Sequence, residues 1–293
     1  MQEKQIKIKE LAVNYKTIGD GKVPIVLLHG WGVSSDKYMA TAETILKDNS
    51  DFKFYIPDLP GFGKSEEPTE DWKLNDYVDF TKEFIKNAVQ RTTGFELVKN
   101  ILKQAAQDGS VTLRRENKKV ILLAHSFGGR VAIKYAVKYP NDIEKLVLTG
   151  AAGVRHPLGK KQKIVFVAAK IGGLLFRLPL FGKFERYAKK ILYMIAREKD
   201  YADADPRMKE VMKNALKEDL SPLLEKITVP TVLIWGENDH STPLADGEIM
   251  HEKIADSKLF IIKEANHSAV YNNAEEFAKK FEKGLKEATI TLL

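Results

Sequence analysis

The chain has 293 residues, room for one large domain or two modest ones at roughly 100–200 residues per domain. Hydrophobic residues make up 44% and charged residues 30%, which excludes a largely disordered chain. The absence of cysteine excludes disulfide scaffolds, cysteine nucleophiles and thiolate metal sites. The net charge of +7 is spread along the chain rather than gathered in one run, so no nucleic-acid partner is expected.

The first ten residues, MQEKQIKIKE, lack the apolar core of a secretory signal. Alternating residues over 5–18 predict a hairpin with one solvated face. A continuous apolar run at 25–28 predicts a strand covered on both faces, and His29-Gly30-Trp31-Gly32 follows it directly. A second run, 52–56, leads into Asp58-Leu59-Pro60-Gly61-Phe62-Gly63-Lys64-Ser65. Helical periodicity covers 74–89. About thirty residues, 90–119, then intervene before the next strand, far beyond the usual ~4–6 of a connection. Within them Phe95, Leu97, Val98, Ile101 and Leu102 give an amphipathic helix, Asp108-Gly109-Ser110 a turn and 111–113 a short strand. Such an arm suits packing beneath the sheet or a contact with another subunit, which leaves room for a homo-oligomer.

Further strands are predicted at 120–123, 146–148, 231–235 and 260–262. Apolar runs alternating with amphipathic stretches give an α/β fold with a mostly parallel central sheet and flanking helices. Between 153 and about 222 only helical periodicity is found, broken by Gly172-Gly173, Pro179 and Pro206. That is far more than the dozen or so residues a crossover needs. It reads as a helical subdomain, 153–222, inserted into a core built from 1–152 and 223–293, before the strand at 231. Its most apolar stretch, 164–181, is interrupted by Lys170, Arg177 and Pro179 and falls short of the ~20 apolar residues of a membrane span. A soluble, cytoplasmic protein is the expectation.

The strand at 120–123 runs into Ala124-His125-Ser126-Phe127-Gly128-Gly129, with a helix to follow. A serine flanked at two positions on either side by small residues, between strand and helix, is the nucleophile-elbow pattern. The turn is tight enough to strain the backbone and thrust the hydroxyl clear of the sheet, and larger neighbours would collide with the adjoining strand and helix. A serine hydroxyl needs a base, and the base an orienting carboxylate. His267 follows the strand at 260–262 and Asp239 follows the strand at 231–235. Both therefore belong at the carboxyl edge of the sheet with Ser126, where open α/β sheets place their ligands. Of the other histidines, His125 should point away from the hydroxyl and His240 sits too close to Asp239 in the chain. His156 opens the inserted segment, His251 lies on a surface helix, and His29 is a structural hydrogen-bonder. No pair has His-x-x-x-His spacing, so no metal is expected. The backbone N–H groups of Trp31 and Phe127 are candidate oxyanion donors.

These motifs together resemble the α/β-hydrolase superfamily, in the branch of capped esterases and C–C bond hydrolases. The order Ser126, Asp239, His267 is that superfamily's order, the 58–65 loop resembles one it carries after an early core strand, and 229–239 resembles the strand and turn that deliver its acid. Haloalkane dehalogenases and epoxide hydrolases, which use an Asp where Ser126 stands, are set aside. Ala124 replaces the usual Gly, and Phe127 a frequent Met or Gln. The resemblance implies a small-molecule carboxylic ester as substrate, an acyl-enzyme on Ser126, no cofactor, and a cap formed by the inserted segment. C–C bond hydrolysis of a vinylogous diketone, or a receptor role with the three residues intact, are the alternatives it leaves open. Phe166, Phe176 and Phe181, with His156, are candidates to line the substrate pocket, and an apolar roof favours an acyl chain or aromatic ester.

Overall fold

A computed structural model describes residues 1–90, 118–155 and 205–288. All but the ends of the expected arm at 90–119 (residues 91–117) and most of the inserted segment, including His156, Phe166, Phe176 and Phe181, lie outside the described residues. Two compact units divide the chain: Met1–Val154 with Glu218–Leu293, and Arg155–Lys217. Of the second unit, helix Pro206–Lys217 is described, its buried residues Met208, Val211 and Ala215 spaced along one face. No helix among the described residues is long and apolar enough to cross a membrane.

Eight described strands form one sheet: β1 Gln2–Ile8, β2 Leu11–Ile18, β3 Val23–Leu28, β4 Phe52–Pro57, β5 Val120–His125, β6 Ile143–Thr149, β7 Thr231–Gly236 and β8 Ser257–Ile262. Their order is β1-β2-β4-β3-β5-β6-β7-β8. The β1–β2 and β2–β4 pairings are antiparallel and all others parallel. The expected mostly parallel sheet is therefore found, with all six predicted strands extended by one to three residues at one end or, for β6, at both. The central strands are buried on both faces: Ile25 to Leu28, Leu122 to Ala124 and Val232 to Trp235 are essentially inaccessible, which is why they read as unbroken apolar runs.

The N-terminal hairpin departs from expectation. It begins at Gln2, and β2 has no solvated face. Val13 and Tyr15 are buried on one side, while Asn14 and Lys16 are buried on the other. The polar pair is covered because each finds a carboxylate: Asn14 donates to Asp58 at 3.0 Å and Lys16 pairs with Asp36.

Helices cover both faces. Helix α1 (Met39–Asp48) packs with the C-terminal helix Ala274–Glu287 on one side. There Ile45, Phe277 and Phe281 join Ile25, Leu27, Phe54 and Val232 in one apolar cluster. Gly284 lets the C-terminal helix lie close, since a Cβ there would stand 2.4 Å from Val232 Cγ1. On the other side helix α2 (Leu74–Phe84), continued as a π-helical turn over Ile85–Gln90, packs on α3 (Phe127–Lys138).

The 58–65 loop is tied down by one carboxylate. Asp58, nearly inaccessible, accepts the Ser35 N–H at 2.7 Å, the Lys64 N–H at 3.0 Å and the Asn14 amide at 3.0 Å. Burial pushes its pKa up, but the Lys64 and Ser35 amides and Asn14 together outweigh burial and hold it below the usual carboxylate value. The charged form is thus the one the fold holds.

Two outcomes follow from this packing. A Cβ at Gly128 would lie 2.3 Å from Leu28 O and 2.8 Å from His29 O, both backbone atoms that cannot swing away. Gly128→Ala should therefore lose about 3 kcal/mol or more in urea unfolding, at or above the top of the usual overpacking range. Asp58 has a folded pKa below its unfolded value, so its contribution is complete above that unfolded value, ~3.9, and is lost as pH falls through the folded one. Asp58→Asn should cost about 1.5–3 kcal/mol at pH 7, the range for a bond to a charged group. It should also flatten the loss of stability measured by urea titration below about pH 4.

Candidate active site

Strands β3 to β8 run parallel, so the loops that follow them emerge at one edge. All six of those loops contribute to the site. The first is the turn after β5. Ser126 has φ 52° and ψ −113°, a left-handed backbone that a non-glycine residue adopts only under strain. The strain is held by neighbours on both sides: Ser126 N–H bonds Thr149 O at 3.3 Å, and Ser126 O accepts from Gly129 at 3.0 Å and Ala152 at 3.1 Å. Gly128 donates to His29 O at 3.1 Å. Small residues are needed here as expected, and Gly129 adds to them, since a Cβ on it would stand 2.4 Å from that of Ala151. Phe127 opens helix α3, so its N–H is among the first four, which have no partner inside the helix.

The second loop, after β3, lies against the first. A Cβ on Gly30 would be 3.2 Å from Ser126 Cβ. His29 is fully buried, and its proton can be placed. Nε2 accepts the Leu59 N–H at 2.8 Å, so Nδ1 carries the hydrogen and donates to Gly30 O at 2.7 Å. Burial holds this imidazole below its ordinary pKa, consistent with a neutral ring. In a trans peptide the C=O and the next N–H point in opposite directions, so drawing Gly30 O toward His29 turns the Trp31 N–H the other way. The structural part expected of His29 is what its bonds describe.

The Asp239 and His267 loops follow β7 and β8. His267 Nδ1 donates to Asp239 Oδ2 at 2.8 Å. The Asp239 side chain is 1% exposed and that of His267 23%, so the carboxylate is sealed while the imidazole reaches the surface of the site. Asp239 Oδ1 accepts the backbone N–H groups of Ser241 at 2.8 Å and Thr242 at 2.9 Å. The Thr242 hydroxyl stands 2.9 Å from Asp239 Oδ2 and 3.0 Å from Gly150 O, and its one proton serves either. Burial raises the Asp239 pKa, yet the bonds from His267 and Thr242 leave it below the ordinary value. The two loops are stitched by Asn238 N–H to Ala265 O at 2.8 Å and Glu264 N–H to Glu237 Oε2 at 2.9 Å. Gly236 is required for this contact, because a Cβ would meet Asn266 O at 2.5 Å.

Three contributors were not foreseen. Gly150, after β6, has φ +47°, and a Cβ on it would press on both Asp239 Oδ2 and His267 Nδ1 at 3.2 Å. A glycine directly after a strand was the available signal. Phe62, from the 58–65 loop, meets Trp31 edge-on at 4.8 Å, and Trp31 meets Phe127 in the same way at 5.3 Å, so the three rings form one cluster in which Phe62 and Phe127 are buried and Trp31 is half-buried. His125, set aside in the sequence, is buried, and its ring lies 4.8 Å from that of His267. His240 is exposed, and His251 sits on helix Leu244–Lys253 bonded to Ser257 at 2.9 Å. Among the described residues no three His, Asp or Glu side chains are grouped to hold a metal ion.

The pattern extends beyond this chain. Over 92% of its length it is 24% identical to a 2-hydroxy-6-oxononadienedioate/2-hydroxy-6-oxononatrienedioate hydrolase of Klebsiella pneumoniae, 89% of which is covered. It is equally 24% identical, over 90% of this chain and 78% of the relative, to Lipase 3 of a Moraxella species. Among solved structures, a serine hydrolase involved in carbazole degradation superposes with a TM-score of 0.64 at 19% identity, over 97% of this chain and 98% of that one. The model of the alpha/beta hydrolase family matches residues 25–280, and with the eight-stranded sheet and its flanking helices this settles the family. The chain belongs to the alpha/beta hydrolases.

Proposed function

We propose that this hydrolase cleaves carboxylic esters through an acyl-enzyme on Ser126, with His267 as base, Asp239 as its orienting acid, and the Trp31 and Phe127 amides as oxyanion donors. The observation that carries the reading is the 2.8 Å bond from His267 Nδ1 to the buried Asp239 carboxylate. It fixes the tautomer whose Nε2 is an acceptor, at the sheet edge where the strained Ser126 turn also emerges. In the first step Ser126 Oγ bonds the ester carbonyl carbon while its proton passes to His267 Nε2. The oxyanion collects the charge beside the two amides. Collapse expels the alcohol, which takes the proton from His267. Water then repeats the sequence, His267 accepting its proton and returning it to Ser126 as the acid leaves. The steps call for no cofactor. The half-buried Trp31 ring, backed by the buried Phe62 and Phe127, favours an apolar acyl group or aromatic ester over a charged one.

Cleavage of a C–C bond in a vinylogous diketone is the second reading, and the similarity to the Klebsiella pneumoniae hydrolase favours it. Segment 153–222, with Phe166, Phe176, Phe181 and His156, is assigned to substrate choice in either case, and a cytoplasmic location goes with both.

A fluorophosphonate should label Ser126 alone, and Ser126→Ala should abolish turnover. Asp239→Asn should lower kcat by roughly 10⁴, as in other triads. Labelling of a different serine, or full activity of Asp239→Asn, overturns the assignment. A panel of p-nitrophenyl esters of graded chain length, run beside a dienol diketone, separates the two substrates, and repeated turnover separates an enzyme from a receptor. Phe176→Ala or Phe181→Ala should shift chain-length preference more than acetate hydrolysis.

A further inference from the structure

His125 precedes Ser126 and takes no part in the chemistry above, yet its hydrogen bonds cross the whole site. Nε2 lies 2.9 Å from the backbone carbonyl of His267. A carbonyl only accepts, so Nε2 carries the hydrogen. Nδ1, 2.8 Å from the Tyr38 hydroxyl, is then the acceptor of the Tyr38 proton. Tyr38 Oη in turn accepts the Gly30 N–H at 3.0 Å. Every proton in the chain Gly30, Tyr38, His125, His267 is thereby placed. Tyr38 and His125 are both buried, so water does not compete for these bonds. Burial and the neighbouring His267 push the His125 imidazole down to about 3, which keeps it in the neutral form the arrangement needs.

The chain ties three loops that meet at the reacting groups. At one end is the backbone of His267 itself. In the middle is the residue fused to Ser126. At the far end is Gly30, whose own carbonyl is held by His29 and whose next N–H is that of Trp31. Gly30 also packs on the ring, since a Cβ on it would stand 3.1 Å from His125 Nδ1. We infer that His125, as the neutral Nε2–H imidazole, is a positioning residue that with Tyr38 holds the His267 backbone and the Gly30 loop in register with Ser126. The inference rests on the serine reading proposed above and adds to it the group that sets base and oxyanion donors relative to the nucleophile.

The experiment compares Ser126→Ala, His125→Phe, His125→Gln, Tyr38→Phe and the Tyr38→Phe/His125→Phe pair on a p-nitrophenyl ester, with thermal unfolding of each. His125→Phe keeps the ring volume and removes both bonds. It should lower kcat by about 10–100-fold, the scale of a misplacement near 1 Å, with KM within about twofold. His125→Gln, whose amide can still donate to His267 O, should recover most of that loss. Tyr38→Phe should lower kcat by less, and the pair should fall no further than His125→Phe, because one chain is broken only once. Wild-type kcat in a folded His125→Phe, a loss confined to KM, or additive losses in the pair would overturn the inference. Should His125→Phe fail to fold, His125→Gln and Tyr38→Phe decide: wild-type kcat in Tyr38→Phe, or a His125→Gln at least 10-fold down, overturns it. Turnover persisting in Ser126→Ala strikes the serine reading and this inference with it. A silent His125→Phe beside an inactive Ser126→Ala strikes the inference alone.

Discussion

Helix α3 begins in direct contact with strand β3, and the site is arranged around that closeness. Gly128 donates to His29 O across a gap with no room for a methyl group. Because the helix is drawn in so far, the chain must reverse within one residue at the end of β5, and Ser126 is that residue. The same contact brings the β3 loop alongside, so that Trp31 and Phe127 stand ring to ring. A looser turn would relax the serine backbone and part the two amides at once.

The buried ionisable groups divide by what the fold asks of them. Asp58 and Asp239 are both sealed from water and both held charged by donors that outweigh burial. Asp58 is satisfied by groups that do not titrate and so serves as a fixed clip between β2, the turn at Ser35 and the 58–65 loop. Asp239 gives one oxygen to backbone amides and the other to the imidazole of His267, a group that can itself gain or lose a proton. The histidines divide likewise. His29 carries its hydrogen on Nδ1 and His125 on Nε2, each dictated by a carbonyl that can only accept, and both are enclosed. His267 alone of the three reaches the surface of the site.

Much of this was legible because it is local. The elbow, the glycines after β3, and Asp239 and His267 each following a strand are short patterns, and a parallel sheet converts them into one edge without further information. The expectation of an inserted subdomain over 153–222 came from missing strand periodicity, and the compact unit Arg155–Lys217 falls within that stretch. What was not legible depends on contacts between distant segments. Tyr38 and His267 lie 87 and 142 residues from His125 along the chain, and nothing in the local sequence of any of the three marks the bond. The buried face of β2 escaped for a similar reason: Asn14 and Lys16 read as solvent-facing until Asp58 and Asp36 are brought over them. Gly150 reads as an ordinary strand terminator, and only its distance to the Asp239–His267 bond makes its lack of a side chain necessary.

The dihedral angles of Ser126 also carry a message about heredity. At φ 52° and ψ −113° the residue that suits the backbone best is glycine, and a serine there costs of order 1–3 kcal/mol. Folding alone would thus favour replacing the very hydroxyl proposed above as the nucleophile. On that proposal, any lineage or library enriched only for heat resistance drifts toward an intact but inert protein at this codon, and the serine persists only under continued demand for turnover.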